Sequence, residues 1–124
     1  MTLNNTDAAS TAFYPGLMRY LTDAVTRFDS IPEDRKSELA EVSDYIRERL
    51  SKSEPARLTF ICTHNSRRSH LSQIWAQVAV DYYGLNGVET FSGGTEATAF
   101  NPRAVVAMQR CGLKIIADDP AATN

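Results

Sequence analysis

Cys62, Asn65, Arg68 and Ser69 fall close together in the run Leu58-Thr59-Phe60-Ile61-Cys62-Thr63-His64-Asn65-Ser66-Arg67-Arg68-Ser69. A thiol, a guanidinium six places later and a hydroxyl directly after it form a set that can hold and attack a tetrahedral oxyanion. The guanidinium offers a planar fork of donors to two oxygens at once, which an ammonium does not. A loop of backbone N–H groups running into a helix N-terminus is electropositive, because the amides point inward and the helix dipole is positive at that end. The same field acts on the thiol. A free cysteine titrates at about 8.5, and a helix N-terminus with adjacent cations lowers this by several units. One cup can therefore bind the anion and ionise the nucleophile. Ser69 can hydrogen-bond the thiolate and favour its charged form. Asn65 is the non-glycine residue type that best tolerates the left-handed backbone a tight cradle needs. Thr63, His64, Ser66 and Arg67 complete the anion-binding loop, lending amides and, at Arg67, a further charge.

A cysteine with an arginine six places on is a weak pattern. Requiring Asn65 and Ser69 as well brings chance occurrence to on the order of one in ten thousand per cysteine, which makes the run a signal. The plainer reading is a buried structural cysteine beside a helix that happens to start with basic residues. Other candidates carry less. His64 and His70 either tune Cys62 or stand in solvent. Cys62, His64, His70 and Cys111 match the spacing of no common structural zinc site, so no metal or cofactor is expected. Arg103 reads as a surface residue, and Trp75, at helical spacing with Leu71 and Val78, as core.

To position this set, a strand must enter the loop and a helix must leave it. The apolar run 58–61 supplies the strand, and Leu71, Trp75, Val78 and Tyr82 recur at helical spacing, predicting a helix over about 69–83 closed by Gly84. A second strand follows at 88–92, with Gly93-Gly94 as a turn. Asn101 then caps a helix that has Pro102 at its first position, Val105 and Met108 inward, and Gly112 as its stop. Strand and helix alternating at this spacing predict right-handed crossovers and an α/β fold with a parallel sheet. Ligands bind outside the carboxyl ends of such strands, where the loop lies. Residues 113–116 either start another strand or form an apolar turn. Upstream, Leu17, Leu21, Val25 and Phe28 mark one amphipathic helix opened by Pro15. Ser30-Ile31-Pro32-Glu33 has capping-box spacing and opens a second, with Leu39, Val42, Ile46 and Leu50 on its apolar face. Residues 52–55 break the pattern. The organisation expected is an N-terminal helical extension over 1–54 and an α/β domain over 55–124.

Length and composition set the outer bounds. With 124 residues, 43% hydrophobic and 23% charged, the chain can bury one modest core. A net charge of -2 gives no reason to expect nucleic acid or an anionic membrane surface as partner. No apolar run is long enough to span a bilayer, and Met1-Thr2-Leu3-Asn4-Asn5-Thr6-Asp7 lacks the regions of a signal peptide. Two cysteines at unrelated positions make no disulfide framework, and a cytoplasmic, reducing location is expected.

Cys62-x-x-Asn65-x-x-Arg68-Ser69 resembles the phosphate-binding loop of the low-molecular-weight protein tyrosine phosphatases and of the thioredoxin-coupled arsenate reductases that share their fold. The resemblance continues through Ile74-Trp75-Ala76, Phe91-Ser92-Gly93-Gly94-Thr95-Glu96-Ala97 and Asn101-Pro102-Arg103-Ala104-Val105, and on from Met108 to Ile115. It implies that Cys62 is the nucleophile, Arg68 the oxyanion clamp, Asn65 the keeper of loop shape and Ser69 the support of the thiolate. It implies a three-layer α/β fold, incomplete here, because the family's sheet has further strands and helices beyond the helix at Asn101. The family's general acid is an aspartate before a proline on a late loop. Asp118-Asp119-Pro120 carries those residue types but follows the helix closely, and reads either as that acid or as a solvated turn.

The reductase branch relays oxidation from the loop cysteine to two later cysteines, which thioredoxin then reduces. The second thiol here is Cys111, a core residue by its pattern and a relay only on a second reading. The position before Arg68, often a cysteine in the family, is Arg67, which removes a redox brake and adds charge to the rim. The expected function is a cysteine-dependent phosphatase acting on a phosphorylated protein or a small oxyanion. The alternative is an arsenate reductase served by thioredoxin or another thiol reductant, toward which the Asn65-Ser66 pair, Trp75 and Asn101-Pro102 lean. A third reading is a catalytically incomplete anion-binding fragment.

Overall fold

In a computed structural model, which describes residues 13–96 and 99–115, the apolar run before the loop is a strand and the periodic run after it a helix. The elements are α1 (Pro15–Val25), a short 3-10 turn (Phe28–Ser30), α2 (Glu33–Ser51), β1 (Ala56–Cys62), α3 (Arg68–Tyr82), β2 (Val88–Gly94) and α4 (Pro102–Arg110). β1 and β2 pair in parallel from Ala56 opposite Val88 to Cys62 opposite Gly94. Parallel neighbours need a crossover, and α3 provides it. The result is the expected α/β fold, a parallel sheet flanked by helices.

Alternation along β1 sets which residues reach the core. Ala56 is buried, and Leu58, Phe60 and Cys62 follow it on the covered face, while Arg57, Thr59 and Ile61 face solvent. Ala56, Val80 and Val88 form the centre of the core, with Ile46, Leu50, Leu58 and Leu85 packed against them. The last turns of α2 and α3 thus close over the starts of both strands. A polar set also fixes α3 to β2: Thr90 Oγ1 donates to Gln77 Oε1 at 2.9 Å, and Gln73 Nε2 donates to the Thr90 carbonyl at 3.3 Å.

The upstream helices form as predicted but bury less. In α1, Leu17 is buried and Tyr20 stacks on Trp75 of α3 with ring centroids 5.3 Å apart. Val25 and Phe28, expected on the same apolar face, are exposed, as are Leu39 and Val42 of α2. The capping box at Ser30 does not form. The 3-10 turn takes up Ser30, whose hydroxyl donates to the Arg27 carbonyl at 2.7 Å, and α2 starts after Pro32 without a side-chain cap.

At the other end, Asn101 Oδ1 accepts the amide of Arg103 at 2.9 Å, the expected N-cap of α4. α4 ends at Arg110, and Gly112 just beyond it has a φ of 102° that suits glycine; a Cβ there would run into the backbone of Gly16 and Leu17. β2 extends beyond the predicted 88–92: Gly93 and Gly94 stay in the strand, opposite Ile61 and Cys62, rather than forming a turn. Residues 113–115 are not a strand. Ile116 and Asp118-Asp119-Pro120 lie outside the described residues. Among the described residues, no helix is long and apolar enough to cross a membrane.

Candidate active site

β1 delivers Cys62 to the carboxyl end of the sheet, and α3 begins six residues later at Arg68. Between them the chain turns back on the sulfur. Asn65 makes this possible with a φ of 48°, the left-handed conformation expected of it. Its amide donates to Cys62 Sγ at 3.2 Å. The Cys62 thiol donates to Ser69 Oγ at 3.1 Å, and the Ser69 hydroxyl donates to Asn65 Oδ1 at 2.6 Å. These three bonds close a ring through Cys62, Ser69 and Asn65. The hydroxyl has one proton, so when the thiol ionises that proton can turn from Asn65 Oδ1 to the sulfur. Ser69 is buried, with 2% of its surface exposed, which keeps water from competing for this exchange.

The ring acts directly on acidity. The Ser69 hydroxyl is the largest influence on the thiol, and the Ser69 amide adds to it. Desolvation opposes them, the amides of Asn65 and His64 assist, and Cys62 titrates at about 7 instead of 9.0. The thiolate is therefore a major species at neutral pH. Arg68 lines the same mostly polar cavity of about 250 Å³ as Cys62, Thr63, Ser69 and Ser72, with Phe60 and Ile61 along one side. An apolar groove of about 350 Å³ between α1 and α3 is somewhat larger, but no loop residue lines it. The polar cavity is the one with chemistry.

The loop is strapped from two sides. The Thr63 carbonyl accepts the amides of Thr95 at 2.9 Å and Glu96 at 3.0 Å, just beyond β2. His64 Nδ1 lies 2.7 Å from Glu96 Oε2 across the same junction. The Ser66 carbonyl accepts the amide of Asn101 at 2.7 Å, joining the loop to the start of α4. Gly94 lies beneath: a Cβ there would come within 2.8 Å of both the Cβ and the amide nitrogen of Asn65.

Of the loop residues expected in the anion site, Thr63 and Arg68 line the cavity, Asn65 bonds the sulfur, and His64 and Ser66 carry the straps, while Arg67 is exposed. The other candidates are not in the cup. His70 stacks on Phe100, with centroids 4.4 Å apart. Cys111 follows the last turn of α4, beside Tyr20, whose hydroxyl it pushes upward in pKa by hydrogen bonding and by its charge. Ten residues of helical rise, about 15 Å, separate Cys111 from the α4 start that touches the loop. Cys111 is half-buried there. Among the described residues, no three His, Cys, Asp or Glu side chains stand close enough to hold a metal ion. Sequence reasoning missed Gly94, Thr95 and Ser72. The Gly93-Gly94 pair was the available signal for the first, and Ser72, one turn beyond Ser69, for the last.

Known proteins resemble the chain over part of its length. It is 43% identical over 56 residues to an arsenate reductase of Brevibacillus brevis, covering 45% of this chain and 39% of that protein. It is 38% identical over 56 residues to arsenate reductase 2 of Staphylococcus haemolyticus, 45% of this chain and 40% of that one. For an arsenate reductase of Staphylococcus aureus the figures are 39% over 57 residues, 45% and 40%. The chain spans about two fifths of the length of the curated relatives it matches. No family model and no solved structure matches it. What the comparisons establish is a partial but specific likeness to arsenate reductases.

Proposed function

We propose that the chain performs thiol-dependent reduction of arsenate at Cys62. The observation that carries this reading is the sulfur itself, ionised near neutrality by the Ser69–Asn65 ring and sharing a cavity with Arg68. The likeness to arsenate reductases favours that chemistry over a phosphatase. Arg68 and the loop amides hold the oxyanion, and Cys62 Sγ attacks arsenic. An S–As bond forms, and one As–O bond breaks with its oxygen leaving as water after protonation. A second thiolate then attacks Cys62 Sγ. An S–S bond forms, the S–As pair stays on arsenic, and As(V) leaves as As(III) arsenite. Another thiol frees Cys62, so two thiols become one disulfide per arsenite.

In this reading residues 55–124 carry the chemistry and the N-terminal extension, 1–54, supports them through α1, whose Tyr20 stacks on Trp75, in a cytoplasm that keeps thiols reduced. The test is arsenite formation from arsenate with a thiol present. The wild-type chain turns over and Cys62→Ser does not; equal turnover by both would end the proposal. One observation favours a second reading, a cysteine-dependent phosphatase of the low-molecular-weight type: the cup holds one thiol, and phosphoryl hydrolysis through a phosphocysteine needs one. Aryl phosphate turnover by the wild type, without arsenite formation, would select it.

A further inference from the structure

We infer that His64 and Glu96 are positioning residues for the oxyanion: their side chains latch the Thr63–His64 peptide so that its N–H stays turned into the Cys62 cup. The inference rests on the cup binding a tetrahedral oxyanion, as the reading above requires. A trans peptide carries its C=O and N–H on opposite sides of one plane, so fixing the carbonyl fixes the amide. The Thr63 carbonyl accepts from three donors just beyond β2: the amides of Thr95 at 2.9 Å and Glu96 at 3.0 Å, and Thr95 Oγ1 at 3.1 Å. The N–H of the same peptide belongs to His64, and it is one of the backbone amides that favour the Cys62 thiolate. Beside it the Asn65 amide donates to Cys62 Sγ at 3.2 Å. Successive amides turned the same way make an anion-binding concavity. Were the Thr63–His64 peptide to turn over, that concavity would lose a donor and face the anion with a carbonyl dipole.

The side chains close the same junction a second time. His64 Nδ1–H donates to Glu96 Oε2 at 2.7 Å, directly beside the bond from the Glu96 amide to Thr63. The ion pairs of α1 and α2 mostly join residues three or four apart on one helix and hold nothing across the fold. The His64–Glu96 pair joins residues 32 apart and has one partner inside the loop. Both side chains are more than half exposed, at 55% and 57%, so the pair contributes little to stability. What it fixes is orientation. The sign of the effect separates a latch from simple electrostatics. A carboxylate beside an anion site repels the ligand, so by Coulomb's law alone its removal strengthens binding. A latch requires the reverse.

The experiment measures how inorganic phosphate protects Cys62 from iodoacetamide, in a Cys111→Ser background. The chains compared are the wild type, Glu96→Ala, Glu96→Gln, His64→Ala and the double alanine variant. The ratio of alkylation rates with and without phosphate gives the dissociation constant, and the intrinsic reactivity of each thiolate cancels. Glu96→Ala and His64→Ala each weaken phosphate binding about tenfold, with the urea midpoint unchanged. In both, the midpoint of alkylation against pH rises as the His64 amide loosens from the sulfur. The double variant binds no more weakly than either single, because one latch is lost only once. Glu96→Gln keeps an acceptor for Nδ1–H and drops the charge, so it binds phosphate at least as tightly as the wild type. Unchanged or tighter binding in Glu96→Ala overturns the inference. Equal losses in Glu96→Ala and Glu96→Gln also overturn it, since charge alone is then at work, as do losses that multiply in the double variant. A urea midpoint that falls in step with the loss makes the pair merely structural and overturns it too. Each of these results, with the wild type protected, leaves the reductase reading standing. No protection of the wild type removes the anion cup, and both inferences with it.

Discussion

Replacing Ser69 with alanine makes the reactivity profile of Cys62 cross that of the wild type, and the crossing point follows from the hydrogen-bond ring. The hydroxyl 3.1 Å from the sulfur is the largest influence holding the thiol at about 7. Alanine preserves the α3 backbone and removes that hydroxyl, so the thiol rises toward the free-cysteine value of about 8.5. The amides of Ser69, Asn65 and His64 remain, so roughly 1.5 units is the largest rise, which at about pH 6 leaves about thirty times less thiolate. Each thiolate is also more nucleophilic, by about fivefold for a Brønsted coefficient of about 0.45. Alkylation by iodoacetamide therefore slows only about sixfold at about pH 6 but is about fivefold faster than wild type above about pH 10, with the curves meeting near about pH 8. The measurement is the pseudo-first-order alkylation rate against pH, in a Cys111→Ser background so that one sulfur reports. Stability shifts in the same direction. The native thiol is more acidic than the unfolded one, so its contribution is complete above about pH 8.5 and is lost as pH falls through about 7. That slope weakens in Ser69→Ala, where only the amides of Ser69, Asn65 and His64 still favour the thiolate. Parallel alkylation curves with a shared midpoint near about 7 would refute the reasoning, because the hydroxyl would then contribute nothing to the thiolate.

Two further contrasts test the loop's supports. Gly94→Ala drives a Cβ to 2.8 Å from Asn65, so it destabilises the fold by about 1–3 kcal/mol and weakens phosphate protection of Cys62 against alkylation. Gly93→Ala has nothing within 4 Å of its new Cβ and unfolds in urea within about 0.5 kcal/mol of wild type. At Asn65, with φ at 48°, alanine costs about 1–2 kcal/mol in urea unfolding, whereas glycine tolerates the backbone and costs distinctly less.

What could be read from the sequence was what is local. Cys62, Asn65 and Ser69 are separated by three and four residues, so a single turn brings sulfur, amide and hydroxyl together, and their types alone announce it. Asn101-Pro102 and Gly112 mark the two ends of α4 for the same reason, each acting within one turn of helix. The Gly93-Gly94 pair misled because two glycines in succession usually signal a turn. Here the second stays in a strand, since its missing side chain leaves room for a loop that begins 32 residues earlier at Cys62. The apolar stripe of α2 was overread in the same way. Ile46 and Leu50 meet the strands, but Leu39 and Val42, one to two turns nearer the start of the helix, are exposed among the described residues.

The straps that hold the cup were beyond sequence reasoning, because a backbone amide carries no residue signature. Thr95, Glu96 and Asn101 stabilise the loop through N–H groups that almost any residue would provide. The consequence for chemistry is that the reactive group and its support have different origins. The thiolate depends on side chains within the loop, while the shape of the anion site depends on β2 and α4 lying beneath and beside it. Substitutions in the loop should therefore alter the acidity of Cys62 first, and substitutions at Gly94 should alter oxyanion binding first. Arg67 belongs to both groups. Its identity excludes a neighbouring sulfur from the loop, and the residue before it, Ser66, carries the contact to Asn101.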